Sequence, residues 1–248
     1  HLALSDVSDT GLAETARLVA ESAAVRVTTQ SVDVADRQAM HAWADAAAAE
    51  HGAVHLICNN AGVALGATVE GADYADLEWI VGINFWGVVH GTKAFLPHLR
   101  AAGEGHVVNI SSVFGLIGVP TQGAYNATKF AVRGFTEALR QELDTDPAPI
   151  SATSVHPGGI KTNIARSARF TDSAMALTGE DEATSKANFE KLFMTTPESA
   201  ARTIVKGVTR NARRVLIGPD ARVIDLAARL LPSRYQQLVG FGLRHMAR

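Results

Sequence analysis

The sequence predicts an α/β protein built as a doubly wound parallel sheet with helices on both faces. Short apolar, β-branched segments alternate with longer helical segments along most of the chain, which is the pattern of βαβ units. The apolar segments are continuous runs, as expected of strands that are covered on both faces. The 248 residues, 47% hydrophobic and 19% charged, can fill a substantial core, so a disordered or fibrous chain is excluded.

Six segments are predicted to be strands, because each is a short apolar run bounded by polar or turn residues. Their ranges are 2–5, 25–32, 54–58, 106–111, 150–156 and 214–217. Five helices are predicted between them, where Ala, Leu, Glu and Arg dominate. Their ranges are 10–22, 36–50, 74–101, 123–143 and 197–211. Asp9 and Asp36 are predicted to cap two of these helices.

Segment 161–196 interrupts the alternation of strands and helices. It is rich in Ser, Thr, Ala and charged residues and carries scattered large apolar side chains. A long insertion after a strand end is typical of a lid that covers a substrate, and the alternative is a pair of surface helices packed on the domain. Residues 221–248 are predicted to form a helical tail divided by Pro232. No repeat or low-complexity linker is found, so residues 1–248 are predicted to form one domain.

Charge and composition disfavour several functions. The net charge of −2 gives no field for nucleic acid, and the arginines between residues 210 and 234 are interpreted as solvated helix faces. One cysteine, Cys58, excludes an internal disulfide and a cysteine metal cluster, and we expect a buried, inert thiol. No metal site is predicted. No long apolar run or signal-peptide pattern is present, so we expect a cytoplasmic protein without a membrane partner.

Tyr125 and Lys129 are four residues apart at the start of a predicted helix, which places both side chains on one helix face. An ammonium beside a phenol favours the phenolate and lowers the phenol pKa from its usual value of about 10. The pair is therefore a candidate general acid and base, and the alternative is an exposed helix pair.

Ser112 ends the predicted strand at 106–111. A hydroxyl at the carboxyl end of a parallel strand lies at the mouth of the sheet, where ligands bind in doubly wound proteins. The alternative is that Ser112 ends the strand by hydrogen bonding to its own backbone.

Two further features of the sequence, residues 59–62 and Asn84, are candidates for contact with a ligand or a water. Residues 59–62, Asn-Asn-Ala-Gly, follow the predicted strand at 54–58; small residues let a ligand approach the backbone, and a plain turn is the alternative. Asn84 is a lone amide among bulky residues of the predicted helix 74–101. We expect it either to satisfy a backbone carbonyl or to hold a water beside Lys129.

Taken together, these motifs resemble the short-chain dehydrogenase/reductase family in order and spacing. The matching residues are Asn-Asn-Ala-Gly at 59–62, Asn84, Ser112, Tyr125-Asn-Ala-Thr-Lys129 and His156-Pro157-Gly158-Gly159-Ile160-Lys161-Thr162. The resemblance implies a Rossmann-type fold of three layers, α/β/α, in which Tyr125 exchanges a proton with the substrate oxygen and Ser112 orients that oxygen. It implies that Lys129 holds the nicotinamide ribose and lowers the Tyr125 pKa, while Asn84 completes a water-linked proton relay.

The resemblance also implies a set of cofactor contacts. Asp6 ends the first predicted strand, where the fold places a carboxylate on the adenosine ribose hydroxyls, so NAD is favoured over NADP; a turn residue is the alternative. Asp33 and Val34 resemble the family's adenine contact, although Asp33 could equally cap a turn. The remaining implied contacts are Asn60, Ala61, Gly62, Tyr125, Lys129, Pro157, Gly158, Ile160 and Thr162.

The implied function is hydride transfer between NAD(H) and a small-molecule secondary alcohol or ketone. One alternative is a catalytically silent nucleotide-binding or scaffold protein on the same fold. Another is an inactive fragment, because the family pattern includes a first strand and a glycine-rich turn that would precede His1. Helices 74–101 and 123–143 resemble those that pair subunits in the family, so a homodimer or homotetramer is expected.

Overall fold

A parallel sheet with helices on both faces organises the chain, which confirms the predicted α/β class. The computed structural model describes residues 1–246, so the last two residues of the predicted helical tail lie outside the described residues. That residues 1–248 form one domain stays a prediction.

All six predicted strands are present, with ends within two residues of the predicted ones. The strands are β1 (Leu2–Asp6), β2 (Val27–Ser31), β3 (Leu56–Asn59), β4 (Leu65–Gly66), β5 (Gly105–Ile110), β6 (Ile150–Pro157), β7 (Arg169–Phe170) and β8 (Arg214–Ile217). The helices are α1 (Asp9–Ser22), α2 (Arg37–His51), α3 (Tyr74–Val81), α4 (Gly87–Ala102), α5 (Gly123–Asp144), α6 (Asp172–Thr178), α7 (Glu182–Lys191), α8 (Pro197–Thr209), α9 (Pro219–Leu230) and α10 (Arg234–Met246).

The hydrogen bonding divides the main sheet into two parts. Strands β3, β5, β6 and β8 form a four-stranded parallel sheet in that order, and β1 pairs in parallel with β2 alone. Within residues 1–246, no strand pairs with the second edge of β1 or of β3. A cleft lies between β1 and β3.

Successive residues of β5 contribute to two of the three apolar clusters among the described residues. Val107 and Val108 are adjacent and both fully buried, and successive strand residues point to opposite faces of a sheet. Val107 belongs to the cluster with α2 and α4, where the Trp43 ring meets the Phe95 ring edge-on at 4.9 Å. Val108 belongs to the cluster with Ala200 of α8 on the other face. This strand is therefore covered on both sides.

The predicted helix 74–101 is not continuous. A turn of π-helix, Gly82–Trp86, lies between α3 and α4, and Asn84 is fully buried within it. The extra residue in such a turn rotates the neighbouring side chains away from regular helical positions. Sequence periodicity does not reveal it, because all three segments remain helical and apolar.

Segment 161–196 contains β7, α6 and α7. Strand β7 pairs with β4, and the Thr171 N–H donates to the Gly66 carbonyl at 2.9 Å. These two strands were not predicted, because two residues are too few to show a periodicity. Phe170 packs in the cluster that contains Tyr125. The segment thus packs its helices at this end of the sheet, and its function as a substrate lid stays a prediction.

Two local predictions are wrong. Ser8 rather than Asp9 caps α1, since its hydroxyl accepts from the Gly11 N–H at 3.1 Å; Asp36 caps α2 as predicted. Cys58 is exposed rather than buried, although desolvation by the surrounding protein raises the pKa of its thiol to about 11, which agrees with the expected inert thiol. Alternate residues of β3 are exposed, and Cys58 lines the cleft beside β1, where no neighbouring strand covers it.

Acid is expected to destabilise the fold through His106. This side chain is buried on β5, its Nε2 lies 2.7 Å from the Thr153 hydroxyl, and burial lowers its pKa to about 4, with a smaller effect of the Arg140 charge. Between pH 6.5 and 4 the unfolded state binds more protons, so the stabilisation is complete above pH 6.5 and is lost as the pH falls towards 4. We expect the free energy of unfolding to drop by about 2 kcal/mol between about pH 7 and pH 5 on account of His106.

Urea unfolding at the two pH values measures this effect. His106→Gln keeps a hydrogen-bonding group but cannot titrate, so its pH dependence should be shallower than that of the wild type. The exposed His41 provides the control, and His41→Gln should follow the wild type. Equal pH dependence in all three proteins would contradict the prediction.

Candidate active site

Three of the predicted catalytic side chains meet at the end of β5. Tyr125 and Lys129 are both buried on α5, and the Lys129 Nζ lies 5.6 Å from the centroid of the Tyr125 ring. Ser112 directly follows β5 in the chain, and its hydroxyl is close enough to the Tyr125 phenol to lower the pKa of that group. The site therefore combines a phenol, a hydroxyl and an ammonium that are shielded from solvent.

Ser112 is held from two directions. Its Oγ accepts from the Phe114 N–H at 3.1 Å, so the alternative interpretation, a serine that ends the strand through its own backbone, is also correct. The His156 Nδ1 lies 3.0 Å from the Ser112 carbonyl oxygen, and the His156 Nε2 lies 3.1 Å from the Ser154 hydroxyl. These contacts leave the Ser112 O–H free to donate towards Tyr125.

Burial opposes the charged forms of both Tyr125 and Lys129. It raises the pKa of Tyr125 to about 12, and the hydrogen bond from Ser112 partly opposes that rise. It lowers the pKa of Lys129 to about 8. The expected lowering of the Tyr125 pKa by Lys129 is therefore not seen, because desolvation outweighs the effect of the neighbouring cation. The Lys129 Nζ donates to the Ile110 carbonyl at 3.1 Å, which anchors it at the end of β5.

Asn84 braces the turn that follows β3. Its Oδ1 accepts from the Val63 N–H at 2.8 Å, and its Nδ2 donates to the Val63 carbonyl at 2.9 Å and to the Thr128 hydroxyl at 3.3 Å. The structure thus supports the first expectation for this amide, the satisfaction of a backbone carbonyl. A water-linked relay through Asn84 stays a prediction.

The cleft between β1 and β3 is open to solvent. Four of the predicted cofactor contacts line it: Asp6, Val34, Asn60 and Ala61. Gly62 continues this wall to the catalytic cluster, because a Cβ added there would lie 3.4 Å from the Lys129 Nζ and 3.3 Å from the Asn84 Oδ1. Residues 60–62 therefore run from the cleft to the catalytic cluster, and the absence of a side chain at Gly62 leaves room beside the Lys129 ammonium.

The two predicted aspartates differ in their relation to this cleft. Asp6 lines the cleft, and its Oδ1 accepts from the Ser8 N–H at 2.9 Å, so it also forms a local turn. Asp33 is exposed and accepts from the Ala35 N–H at 2.9 Å. Val34 is among the residues that line the cleft, whereas Asp33 is not. The cap-like interpretation of Asp33 is the one that the structure supports.

The other predicted cofactor contacts lie at the end of β6. Pro157 is the last residue of this strand, and the Gly158 N–H donates to the Ile217 carbonyl at 2.9 Å. Ile160 forms a bridge with the segment after α7, and Thr162 is exposed. None of these four lines the cleft between β1 and β3. In the strand order, β5 with Ser112 lies between β3 and β6, so the two sets of contacts flank the catalytic cluster.

Asp220 is a site residue that the sequence did not predict. It lies in the first turn of α9, and its Oδ2 accepts from the Gly159 N–H at 2.7 Å. The local sequence, Gly218-Pro219, marks only the start of a helix. The residue that this carboxylate contacts is 61 positions away, so no local pattern could have identified it.

The described residues contain no group of three or more His, Cys, Asp or Glu side chains that could hold a metal ion. Over the same part of the chain, no helix has the length and apolar character needed to cross a bilayer.

Comparisons of this sequence with family models and with known proteins agree on the family. A family model described as short chain dehydrogenase matches residues 1–173. The chain is 51% identical to SadH of Mycobacterium tuberculosis over 243 residues, which is 98% of this chain and 86% of that protein. It is 32% identical over 223 residues to the C alpha-dehydrogenase of a Sphingobium species, which is 87% of this chain and 72% of that protein.

A solved structure of a short chain dehydrogenase/reductase from Burkholderia phymatum, in complex with NAD, matches with a TM-score of 0.83. It is 28% identical, and the match covers 96% of this chain and 85% of that chain. The matched family region, residues 1–173, includes the catalytic cluster and the cleft between β1 and β3. This chain therefore belongs to the short-chain dehydrogenase/reductase family of oxidoreductases.

Proposed function

We propose that this chain transfers a hydride between NAD(H) and a secondary alcohol or ketone. The observation that carries the proposal is the cluster at the end of β5, where the Tyr125 phenol is buried, the Ser112 hydroxyl acts on its pKa, and the Lys129 Nζ lies 5.6 Å from its ring centre. A positioned phenol of this kind can exchange a proton with a substrate oxygen. The family membership supports the reaction class.

Each side chain of the cluster has one task in the proposed reaction. In the oxidation direction the Tyr125 phenolate takes the proton of the substrate hydroxyl, and the Ser112 O–H donates to the same oxygen and orients it. NAD, when bound, supplies the acceptor for the hydride. In the reduction direction the Tyr125 phenol gives its proton to the oxygen of the carbonyl group.

Lys129 lowers the free-energy cost of forming the buried Tyr125 phenolate. With a pKa of about 12, Tyr125 is almost entirely a phenol near neutral pH. The ammonium of Lys129 is held close by the Ile110 carbonyl and stabilises the phenolate whenever it forms. Its anchored position also places it beside the Gly62 end of the cleft, where we propose that it holds the nicotinamide ribose.

We propose NAD rather than NADP as the cofactor. The Asp6 side chain lines the far part of the cleft, and a 2′-phosphate beside this carboxylate would meet like charge. The related structure from Burkholderia phymatum, which was solved with NAD, supports the class of cofactor.

The substrate that we propose is a small alcohol or carbonyl compound with apolar character. Leu192 and Met194 are 61% and 63% exposed, and the Met194 N–H donates to the carbonyl of Gly159, which lies among the predicted cofactor contacts. Exposed apolar side chains next to a cofactor loop are suited to contact an apolar substrate. This arrangement also supports the proposal that 161–196 is a lid.

We further propose a cytoplasmic homodimer or homotetramer that pairs through α5 and the helical region around α4. Trp86 and Phe130 are large apolar side chains that are exposed on these elements, and such side chains are enriched where subunits meet. Size-exclusion chromatography with light scattering measures the state directly.

Replacing Tyr125 tests the proposed acid and base. Tyr125→Phe removes only the phenol oxygen, so we expect the kcat for alcohol oxidation to fall by about a thousandfold while NADH binding changes little. NADH formation during a screen of secondary alcohols gives the rate, and a fluorescence titration gives the affinity. Tyr74→Phe, at an exposed tyrosine, is the control and should retain full activity. Turnover that survives in Tyr125→Phe would refute the assignment.

The pH dependence should differ between the two directions. Below its pKa of about 12, the phenolate fraction of Tyr125 rises tenfold per pH unit, so kcat/KM for oxidation should rise by about tenfold between about pH 6 and 7 and less steeply near pH 8, where Lys129, with a pKa of about 8, loses its proton. Reduction uses the protonated phenol and should show no such rise. Rate profiles in both directions test this, and a flat profile for oxidation would contradict the role of Tyr125.

Charge removal at Asp6 tests the cofactor preference. We expect the wild type to use NAD with higher kcat/KM than NADP, and Asp6→Asn to reduce this preference by about fivefold to tenfold, because the like charge next to the 2′-phosphate is removed. Glu104→Gln, which neutralises an exposed carboxylate in a turn, should leave the preference unchanged. A wild type that prefers NADP would overturn the proposal for Asp6.

A further inference from the structure

The carboxylate of Asp220 lies in a cradle formed by glycines. A Cβ added at Gly158 would lie 2.0 Å from its Oδ2, and a Cβ added at Gly218 would lie 2.2 Å from its Oδ1. Gly218 also has a φ of 98°, which favours glycine. The Gly159 N–H donates to Oδ2 at 2.7 Å. The absence of side chains at these positions is therefore what lets the carboxylate reach the backbone.

The loop 157–162 is held from its other side by the residues that follow α7. The N–H groups of Met194 and Thr195 donate to the Gly159 carbonyl at 3.0 and 3.1 Å, and the Lys161 N–H donates to the Thr195 carbonyl at 2.9 Å. A Cβ at Gly159 would lie 2.1 Å from the Leu192 carbonyl oxygen. Both polar groups of Gly159 are thus engaged, its N–H by Asp220 and its carbonyl by this second strap.

The position of Asp220 on α9 favours its charged form. It follows Pro219 in the first turn of the helix, where the positive end of the helix dipole favours a carboxylate. Its Oδ1 is buried and has no hydrogen-bond partner within the described part of the chain. A buried carboxylate oxygen without a partner destabilises the fold, and such groups call for an explanation. The contact of the other oxygen, Oδ2, with the Gly159 N–H offsets part of this cost.

We infer that Asp220 is a positioning residue, which fixes the conformation of loop 157–162 and through it the affinity of the chain for NAD. The second part rests on the proposed function, because Gly158, Ile160 and Thr162 of this loop are predicted cofactor contacts. Asp220 lies beyond residues 1–173, the region that the family model matches. The loop is inside that region, so a residue of the C-terminal part controls an element of the matched part.

The test compares Asp220→Ala and Asp220→Asn with the wild type. Hydrogen–deuterium exchange of the 158–162 amides reports the loop, and an NADH titration reports the affinity. Alanine removes the acceptor, so the Gly159 amide should exchange about tenfold faster and NADH should bind about tenfold more weakly. Asparagine retains an acceptor oxygen and should restore most of both values. At saturating NAD the kcat should change little, since Asp220→Ala leaves α5 untouched, whereas KM for NAD should rise.

Asp225 provides the matched control on the same helix. Its carboxylate pairs with Arg214 and Arg229, so Asp225→Ala removes a charge and its ion pairs from α9 while leaving the contact with Gly159 in place. We expect wild-type exchange in 158–162 and wild-type NADH affinity. If Asp220→Ala does not fold, Asp220→Ser, whose hydroxyl is too short to reach Gly159, replaces it.

Unchanged loop exchange in Asp220→Ala, or an equal change in Asp225→Ala, would overturn the inference. Faster exchange with unchanged NADH affinity would refute its second part. If the wild type binds no NADH, the proposed function fails, and the exchange comparison alone then decides whether Asp220 positions the loop.

Discussion

Burial of polar side chains along α5 is the constraint on which the site depends. Asn126, Thr128, Lys129 and Thr136 are all buried on this helix, and a buried polar group must find a hydrogen-bond partner. Their partners come from separate elements: the Phe114 and Ile117 carbonyls, Asn84, the Ile110 carbonyl and Asn109. A shift of the helix by one residue would break all of these contacts together. The helix is thereby locked against the strand ends, and Tyr125 is held beside Ser112.

The same burial sets the chemistry of the cluster. Removing water raises the pKa of Tyr125 and lowers that of Lys129, so the resting site favours a neutral phenol and weakens the hold on the ammonium proton. Near neutral pH the site therefore holds a neutral phenol beside a lysine that is still mostly protonated, and the low dielectric strengthens electrostatic contacts between these groups and a substrate. The hydrogen bond between Ser112 and Tyr125 partly offsets the cost of forming the phenolate.

Elements outside the central sheet complete the surroundings of the cluster. The short pair β4 and β7 attaches segment 161–196 to the domain, and Phe170 packs in the cluster that contains Tyr125. Asp220 of α9 and the strap after α7 hold loop 157–162 from two sides. The conformation of the segments next to the site therefore depends both on residues 1–173, which the family model matches, and on the C-terminal part of the chain.

The sequence by itself determined the α/β class, the six main strands and the juxtaposition of Tyr125 with Lys129, because helical and strand periodicities are local and four residues make about one helical turn. Tertiary structure decided the direction of Asn84 in its π-turn, the raised pKa of Tyr125 and the contact of Asp220 with Gly159. Burial and partner choice depend on which distant segments pack together, and no local pattern records that.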